Sequence, residues 1–340
     1  MDSLGSRIVK LHAVGAQSAQ GSRPDQQDTH IILTSAEAPD IGDSIALFAV
    51  FDGHGTPAVS THAKEHIPRL LLESAAFKAG NYEQAMQEAI DREDDLLMQG
   101  FNGGEDAFAV SGSTASLALL DMKRGVLVVG NIGDSHVLMA ERESETGEVR
   151  GIDRLTTSHK PEDRAEKARI EKAGGQVQSQ HDVARIGSLN MSRALGDLQY
   201  KTPLISAPGP PKTDGQRAAL ADPDSGTDAA VSDGLTQNGT ESESGGGTEK
   251  ATDDFITVQL SFRRVDLRKD AQYVLALTSD GVTNVLSDDK IMEGMVQMFN
   301  AGSQAEDVAR VLVDQAVATP YSDNATCVAV FLNGTEAKMG

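Results

Sequence analysis

The sequence predicts an α+β fold in which packed β-sheets are flanked by pairs of helices. Two observations lead there. Nine short apolar runs read as strands, and most are continuous rather than alternating in polarity, which suits strands buried on both faces. Five helical patterns come in pairs separated by blocks of strands, which disfavours a doubly wound parallel sheet built by strict alternation.

In chain order, strands are expected at IVKLHAV (8–14), HIILT (30–34) and IALFAVF (45–51), and helices at about 57–79 and 82–99. A second block of strands follows at TASLALL (114–120), GVLVVGN (125–131) and HVLMA (136–140), then a helix at 162–173 that Gly174-Gly175 ends. The last part holds FITVQL (255–260), YVLALTS (273–279), helices at 288–300 and 304–318, and the final strand TCVAVFL (326–332). Ser303 and Glu306 have the spacing of a capping box for the last helix. Between Gly209 and Asp254 the composition shifts to Gly, Ser, Thr and Asp with almost no large apolar residue, so this tract is expected to be a mobile acidic insertion. Strand-like runs on both sides of it favour one domain spanning 1–340, interrupted by the 209–254 loop, over two linked domains.

The 340 residues are 39% hydrophobic and 24% charged, an ordinary globular balance. With 30 Lys plus Arg against 51 Asp plus Glu, the net charge of −21 makes nucleic acid or an anionic membrane a poor partner. Aromatics at 4% and the absence of Trp leave little for stacking on bases. The single cysteine, Cys327, excludes an internal disulfide and a cysteine-built zinc site, so the reducing cytosol or nucleus is the expected location. MDSLGSRIVK lacks a signal-peptide core, Asp2 stands where myristoylation needs Gly, and no apolar run is long enough to span a bilayer. On that reading the Asn-x-Thr sequons at Asn238, Asn324 and Asn333 are chance matches.

Three apolar runs lead into aspartates: Asp52-Gly53, Gly133-Asp134 and Asp280-Gly281, while Asp323 precedes the last strand. Each alone reads as turn chemistry. If the strands share a sheet, however, Asp52, Asp280 and Asp323 can converge, and carboxylates ~4 Å apart repel by roughly 4 kcal/mol per pair at an effective dielectric near 20. Protonation or a divalent cation would relieve that repulsion. An oxygen-only donor set suits Mg²⁺ or Mn²⁺ rather than Zn²⁺ or Cu²⁺.

The ordered series GSRPDQQD (21–28), FAVFDGHGT (48–56), SGSTA (111–115), NIGDSHV (131–137), LTTSHKPED with EKARIEKAGG (155–175), IGSLNMSRALGD (186–197), LTSDGVTNV (277–285) and SDNATCVAVF (322–331) resembles the metal-dependent serine/threonine protein phosphatases of the type 2C class. The resemblance runs from about Val14 to Leu332, outside the insertion. It implies a four-layer α-β-β-α sandwich with two central antiparallel sheets. It also implies two Mn²⁺ or Mg²⁺ ions, bridged by Asp52, with the Gly53 carbonyl completing one site and Asp280 and Asp323 holding the other. Asp134 resembles the ligand of an additional, weaker ion. Asp28 would orient metal-bound waters, Arg23 would take the substrate phosphate, and His54 would protonate the leaving Ser or Thr oxygen. The implied reaction is direct attack of metal-bound hydroxide on phosphorus, without a phosphoenzyme, on phosphorylated protein substrates by a monomer.

The chain departs from the family pattern at several positions. Gln27 stands where Glu is usual, which removes a carboxylate near one metal and predicts weaker affinity. Asn284 replaces a carboxylate at the additional site, Thr56 replaces the last Gly of Asp-Gly-His-Gly-Gly, and Arg185 lies one residue out of register with the arginine usual before Gly-x-Leu. A regulatory module that binds phosphoproteins without hydrolysing them is the alternative reading, motivated by Gln27 and Asn284. A two-metal nuclease is disfavoured by the charge.

Other motifs receive plainer readings. His62-Ala63-Lys64-Glu65-His66 matches the inverted zincin spacing, but the pattern recurs by chance and needs a third ligand and a cavity, whereas the stretch follows Pro57 on a helix that also carries Lys64 and Arg69, so no zinc is expected there. SGSTA reads as the start of a strand, because no Gly-Lys-Ser/Thr accompanies it. Lys160 and Arg193 are expected in structural salt bridges and Cys327 in the core.

Overall fold

The computed structural model describes residues 7–143, 146–180, 182–202, 204 and 253–337. The central layers are two five-stranded sheets in which every neighbouring pair is antiparallel. One has the order β1 (Val9–Ala19), β15 (Ala325–Gly334), β14 (Gln272–Thr278), β8 (His136–Arg142), β9 (Val149–Arg154). The other runs β13 (Ser261–Asp266), β7 (Val126–Ile132), β6 (Ala115–Asp121), β3 (Ile45–Phe51), β2 (Thr29–Leu33). Helices α1 (Ala58–Glu73) and α3 (Tyr82–Asn102) cover the outer face of the second sheet, and α7 (Asp288–Asn300) and α8 (Ala305–Val317) that of the first.

The continuous apolar runs are explained by this layering. Along β3, Leu47, Ala49 and Phe51 pack with Ile67 and Leu70 under the helices, while Ala46, Phe48 and Val50 turn to the other sheet and meet Leu275, Leu277, Val328 and Val330. The alternate residues of β14 and β15, including Val274, Cys327 and Phe331, pack against Met295 and Leu312. Because successive side chains point to opposite faces, a strand between two apolar layers must be apolar at every position. Cys327 is fully buried, and burial pushes its thiol up to about 12. Among the described residues, no helix is long and apolar enough to cross a membrane.

Three local expectations are corrected. FITVQL is not a strand: Thr257 makes only an isolated bridge to Arg193, and the paired strand is the next segment, β13. Its run SFRRVD is largely exposed at a sheet edge, so it lacks the apolar signal, whereas Ile256 is buried in a small cluster with Ile170 and Ala194. The capping box does not form. Ser303 N–H donates to Met298 C=O and closes the end of α7, leaving Gln304 as the N-cap of α8. The helix expected over 57–79 is broken at Ser74, whose extended backbone ends α1 and whose hydroxyl accepts from Ala76 and Phe77 N–H to start α2 (Ala75–Ala79).

The helix over 162–173 appears as α5 (Arg164–Lys172), followed by Gly175 N–H bonding back to Ile170 C=O. Most of the 209–254 tract lies outside the described residues. On its flanks Phe255 N–H donates to Tyr200 C=O at 3.0 Å, and Thr202 N–H to Asp254 Oδ1 at 2.6 Å.

Candidate metal centre

At one end of the sandwich, strand ends from both sheets open into a cleft of about 480 Å³ lined by Asp52, Asp134, Asp280 and Asp323. Asp52 follows β3, and its backbone is fixed from both sides: its N–H donates to Thr114 Oγ1 at 3.1 Å and its C=O accepts from Thr114 N–H at 2.9 Å. SGSTA therefore is a strand start, with Gly112–Ser113 forming β5 against β4 (Gly53–His54). A side chain at Gly53 would place its Cβ 2.5 Å from Gln27 C=O, so only glycine lets the two loops approach. Asp280 begins α6 (Asp280–Thr283), and its N–H lies 3.4 Å from Asp52 Oδ2. Asp28 sits beneath the cleft, buried, with Oδ2 accepting from Ser279 Oγ at 2.7 Å.

The carboxylates carry the electrostatic mark of a site built for cations. Burial pushes Asp28 up to about 6, with Asp323 adding repulsion. Burial and then the charges of Asp134 and Asp323 raise Asp280 to about 7. Asp52 is raised well above the ordinary range by burial and by Asp28, Asp280, Asp134 and Asp323 together. Asp28 Oδ1 is buried with no hydrogen-bond partner. A hard, oxygen-only, mutually repelling donor set with one orphaned oxygen fits Mg²⁺ or Mn²⁺.

Protein donors already lie on several of these groups. Arg23 Nη2 bonds Asp323 Oδ2 at 2.8 Å, Lys160 Nζ bonds Asp134 Oδ2 at 2.5 Å, and Asn284 Nδ2 donates to Asp280 Oδ2 at 3.1 Å. Lys160 is thus in a salt bridge, as expected, and so is Arg193, with Glu166. Arg185 lines the cleft despite its shifted register. Asn324, one of the sequon asparagines, is buried and works as a clamp. Its amide donates to Gln20 and Asp25 C=O and its Oδ1 accepts from Gln27 N–H, fixing the loop that carries Arg23.

His54 Nε2 lies 2.7 Å from Oδ2 of Asp197, a fully buried carboxylate. Sequence reasoning assigned Asp197 no role. Its only signal was its place at the end of SRALGD, and the proximity arises through the pairing of β12 (Leu195–Gly196) with β5. All eight predicted site residues thus gather at one end of the molecule, seven of them lining the cleft and Asp28 just below it.

The His-x-x-x-His motif is a further departure from expectation. A third candidate ligand, of the kind the motif needs, comes from α3. His62, His66 and Glu93 each place a potential ligand atom within 4.8 Å of the others, the only such trio of His, Cys, Asp or Glu among the described residues.

Fold and cleft together define an α-β-β-α protein with a cluster of aspartates at the strand ends. Residues 12–325 match the family model described as Protein phosphatase 2C, and the chain belongs to that family. It is 34% identical over 194 residues to Protein phosphatase 2C 1 of Paramecium tetraurelia, covering 55% of this chain and 59% of the relative. To Protein phosphatase 2C homolog 2 of Schizosaccharomyces pombe it is 33% identical over 189 residues, 55% of this chain and 47% of the other. The matches therefore span only about half to three-fifths of these relatives' length. The serine-threonine phosphatase 2C structure from Toxoplasma gondii shares the fold with a TM-score of 0.69 at 19% identity, covering 97% of this chain and 98% of that one. A C. elegans sex determining protein does so at 0.65 and 22% identity, covering 94% and 64%.

Proposed function

We propose that the chain hydrolyses phosphoserine and phosphothreonine in proteins with Mg²⁺ or Mn²⁺. The observation that carries this is the gathering of half-buried and buried, mutually repelling aspartates beside a carboxylate-held histidine in one open cleft. Asp52, the Gly53 carbonyl, Asp280 and Asp323 would hold two ions, and Asp134 a weaker third. Bound metal supplies positive charge to the phosphoryl oxygens and lowers the pKa of the attacking water.

The remaining work falls to the chain. Arg23, turned into the cleft on the Asp323 carboxylate, is placed to take a phosphate oxygen. Asp28, held by Ser279 beneath the cleft, is the carboxylate we assign to orienting water. Asp197 Oδ2, 2.7 Å from His54 Nε2, orients the ring beside the cleft, and we assign the ring the protonation of the leaving oxygen. The donors on Asp323, Asp134 and Asp280 must be displaced or shared when metal loads, so a high metal requirement is expected. The proposal further takes the chain to be one catalytic domain interrupted by the 209–254 loop, acting as a monomer in the cytosol or nucleus.

Turnover of a phosphothreonine peptide, followed against Mg²⁺ and Mn²⁺ concentration, should be abolished by chelator and by Asp280→Ala with the circular dichroism spectrum retained. Unchanged turnover in Asp280→Ala removes the metal assignment. No turnover with either ion, together with no calorimetric metal binding, would favour the non-catalytic module.

A further inference from the structure

We propose that His62, His66 and Glu93 form a second, chemically distinct metal site, a zinc-type site between α1 and α3 and outside the carboxylate cleft. His62 and His66 are one turn apart on α1, so their rings share a face, stacked 3.9 Å apart at 22°. Glu93 comes from α3, is fully buried, and places Oε1 2.6 Å from His62 Nδ1. Its second oxygen, Oε2, is buried with no hydrogen-bond partner. Among the described residues no Lys or Arg pairs with this carboxylate; His62 is its one ionisable partner.

Three features point to a metal rather than to a plain ion pair. First, His66 Nδ1 lies 2.8 Å from the His62 backbone carbonyl, which can only accept. The ring proton is therefore on Nδ1, and Nε2 presents its lone pair, the arrangement by which backbone carbonyls orient metal-binding histidines. Second, an ion pair would satisfy Glu93 Oε1 and leave Oε2 buried and unmet, whereas a metal ion offers the carboxylate a full counter-charge. Third, the two rings stack 3.9 Å apart on one face of α1, so that both imidazoles are presented together beside Glu93.

The ligand atoms lie within 4.8 Å of one another. A tetrahedral zinc centre wants them about 3.3 Å apart, given Zn–N and Zn–O bonds of about 2.0–2.2 Å, so side-chain adjustments suffice. Phe108 stands edge-on to His62 at 5.5 Å and walls one side, while His62 is 23% exposed, leaving an approach for the ion and a position for water. Two imidazoles and one carboxylate select Zn²⁺ or a similar borderline ion, in contrast to the oxygen-only centre.

The test is calorimetric titration of the full chain with Zn²⁺ in saturating Mg²⁺, which fills the carboxylate centre first. The wild type should take up one Zn²⁺ that His66→Gln weakens by at least about tenfold. This variant leaves the His62–Glu93 contact in place and, lying outside the cleft, should keep Mg²⁺-dependent turnover. A purely structural pair predicts that His66→Gln changes nothing. Absence of Zn²⁺ uptake by the wild type, or equal uptake by the variant, overturns the proposal. Should His66→Gln fail to fold, Co²⁺ decides on the wild type. Intense visible absorption of a tetrahedral nitrogen-containing site supports the proposal, and only the weak absorption of an octahedral oxygen site overturns it.

Discussion

Asp197 shows how much a single residue contributes to the cleft. Its backbone is left-handed, with φ of 50°, a conformation that Asp and Asn tolerate better than most side chains. That turn aims Oδ2 at His54 Nε2, and the carboxylate is 1% exposed, so no water competes for the bond. Asp197→Asn keeps the backbone and the shape but replaces the carboxylate that meets His54 Nε2 with an amide. We expect kcat to fall roughly tenfold or more with KM little changed, since the loss falls on proton transfer and not on substrate binding. Steady-state kinetics on a phosphothreonine peptide checks this, and a change confined to KM would argue against it.

The short β4, β5 and β12 sheet is the element that makes this contact possible. Its register places His54 opposite Gly112, and Gly112 opposite Gly196. A Cβ at position 112 would fall 2.2 Å from Asp197 Oδ2 and 2.5 Å from His54 Nε2, so the histidine and the aspartate meet across the space a side chain would fill. Gly112→Ala should therefore separate them, lowering turnover at least as much as Asp197→Asn and costing about 1–3 kcal/mol of stability from overpacking. Thermal unfolding measured alongside turnover checks both effects. Nothing in the sequence marks such two-residue strands, because they carry too few residues for periodicity. The long strands were legible because burial between two layers demands apolar residues throughout, as in IALFAVF and TCVAVFL. The cleft aspartates were legible because each ends or precedes such a run. Asp197 and Glu93 were not, since their partners are 143 and 31 residues away and meet them only through tertiary packing. SFRRVD was missed because an edge strand has no buried face to write into its sequence.

At the scale of the whole molecule, the net charge of −21 is unevenly distributed. The 209–254 tract carries a net seven of these negative charges, and the aspartate cluster in the cleft concentrates several more where they are poorly solvated. Without metal, this cluster opposes folding at neutral pH. Folding raises Asp28 to about 6 and Asp280 to about 7, both from ordinary values near 3.8, with Asp52 moved in the same direction, so the folded chain binds protons more tightly than the unfolded one between those limits. The contribution of these carboxylates to the stability of the metal-free chain then decreases as pH rises through that window, the opposite of what a salt-bridged carboxylate produces, while His136 and His159, which burial lowers to about 4, act in the reverse direction. The metal-free protein is expected to melt several degrees higher at about pH 5.5 than at about pH 7.5. Saturating Mg²⁺ should raise the melting temperature most at the higher pH, where the carboxylates are ionised and free to bind, and so flatten or reverse the difference. Differential scanning calorimetry at both pH values, with chelator and with Mg²⁺, checks this. Equal melting temperatures in chelator would show that the carboxylates do not outweigh the buried histidines, and a Mg²⁺ effect independent of pH would place the ion elsewhere.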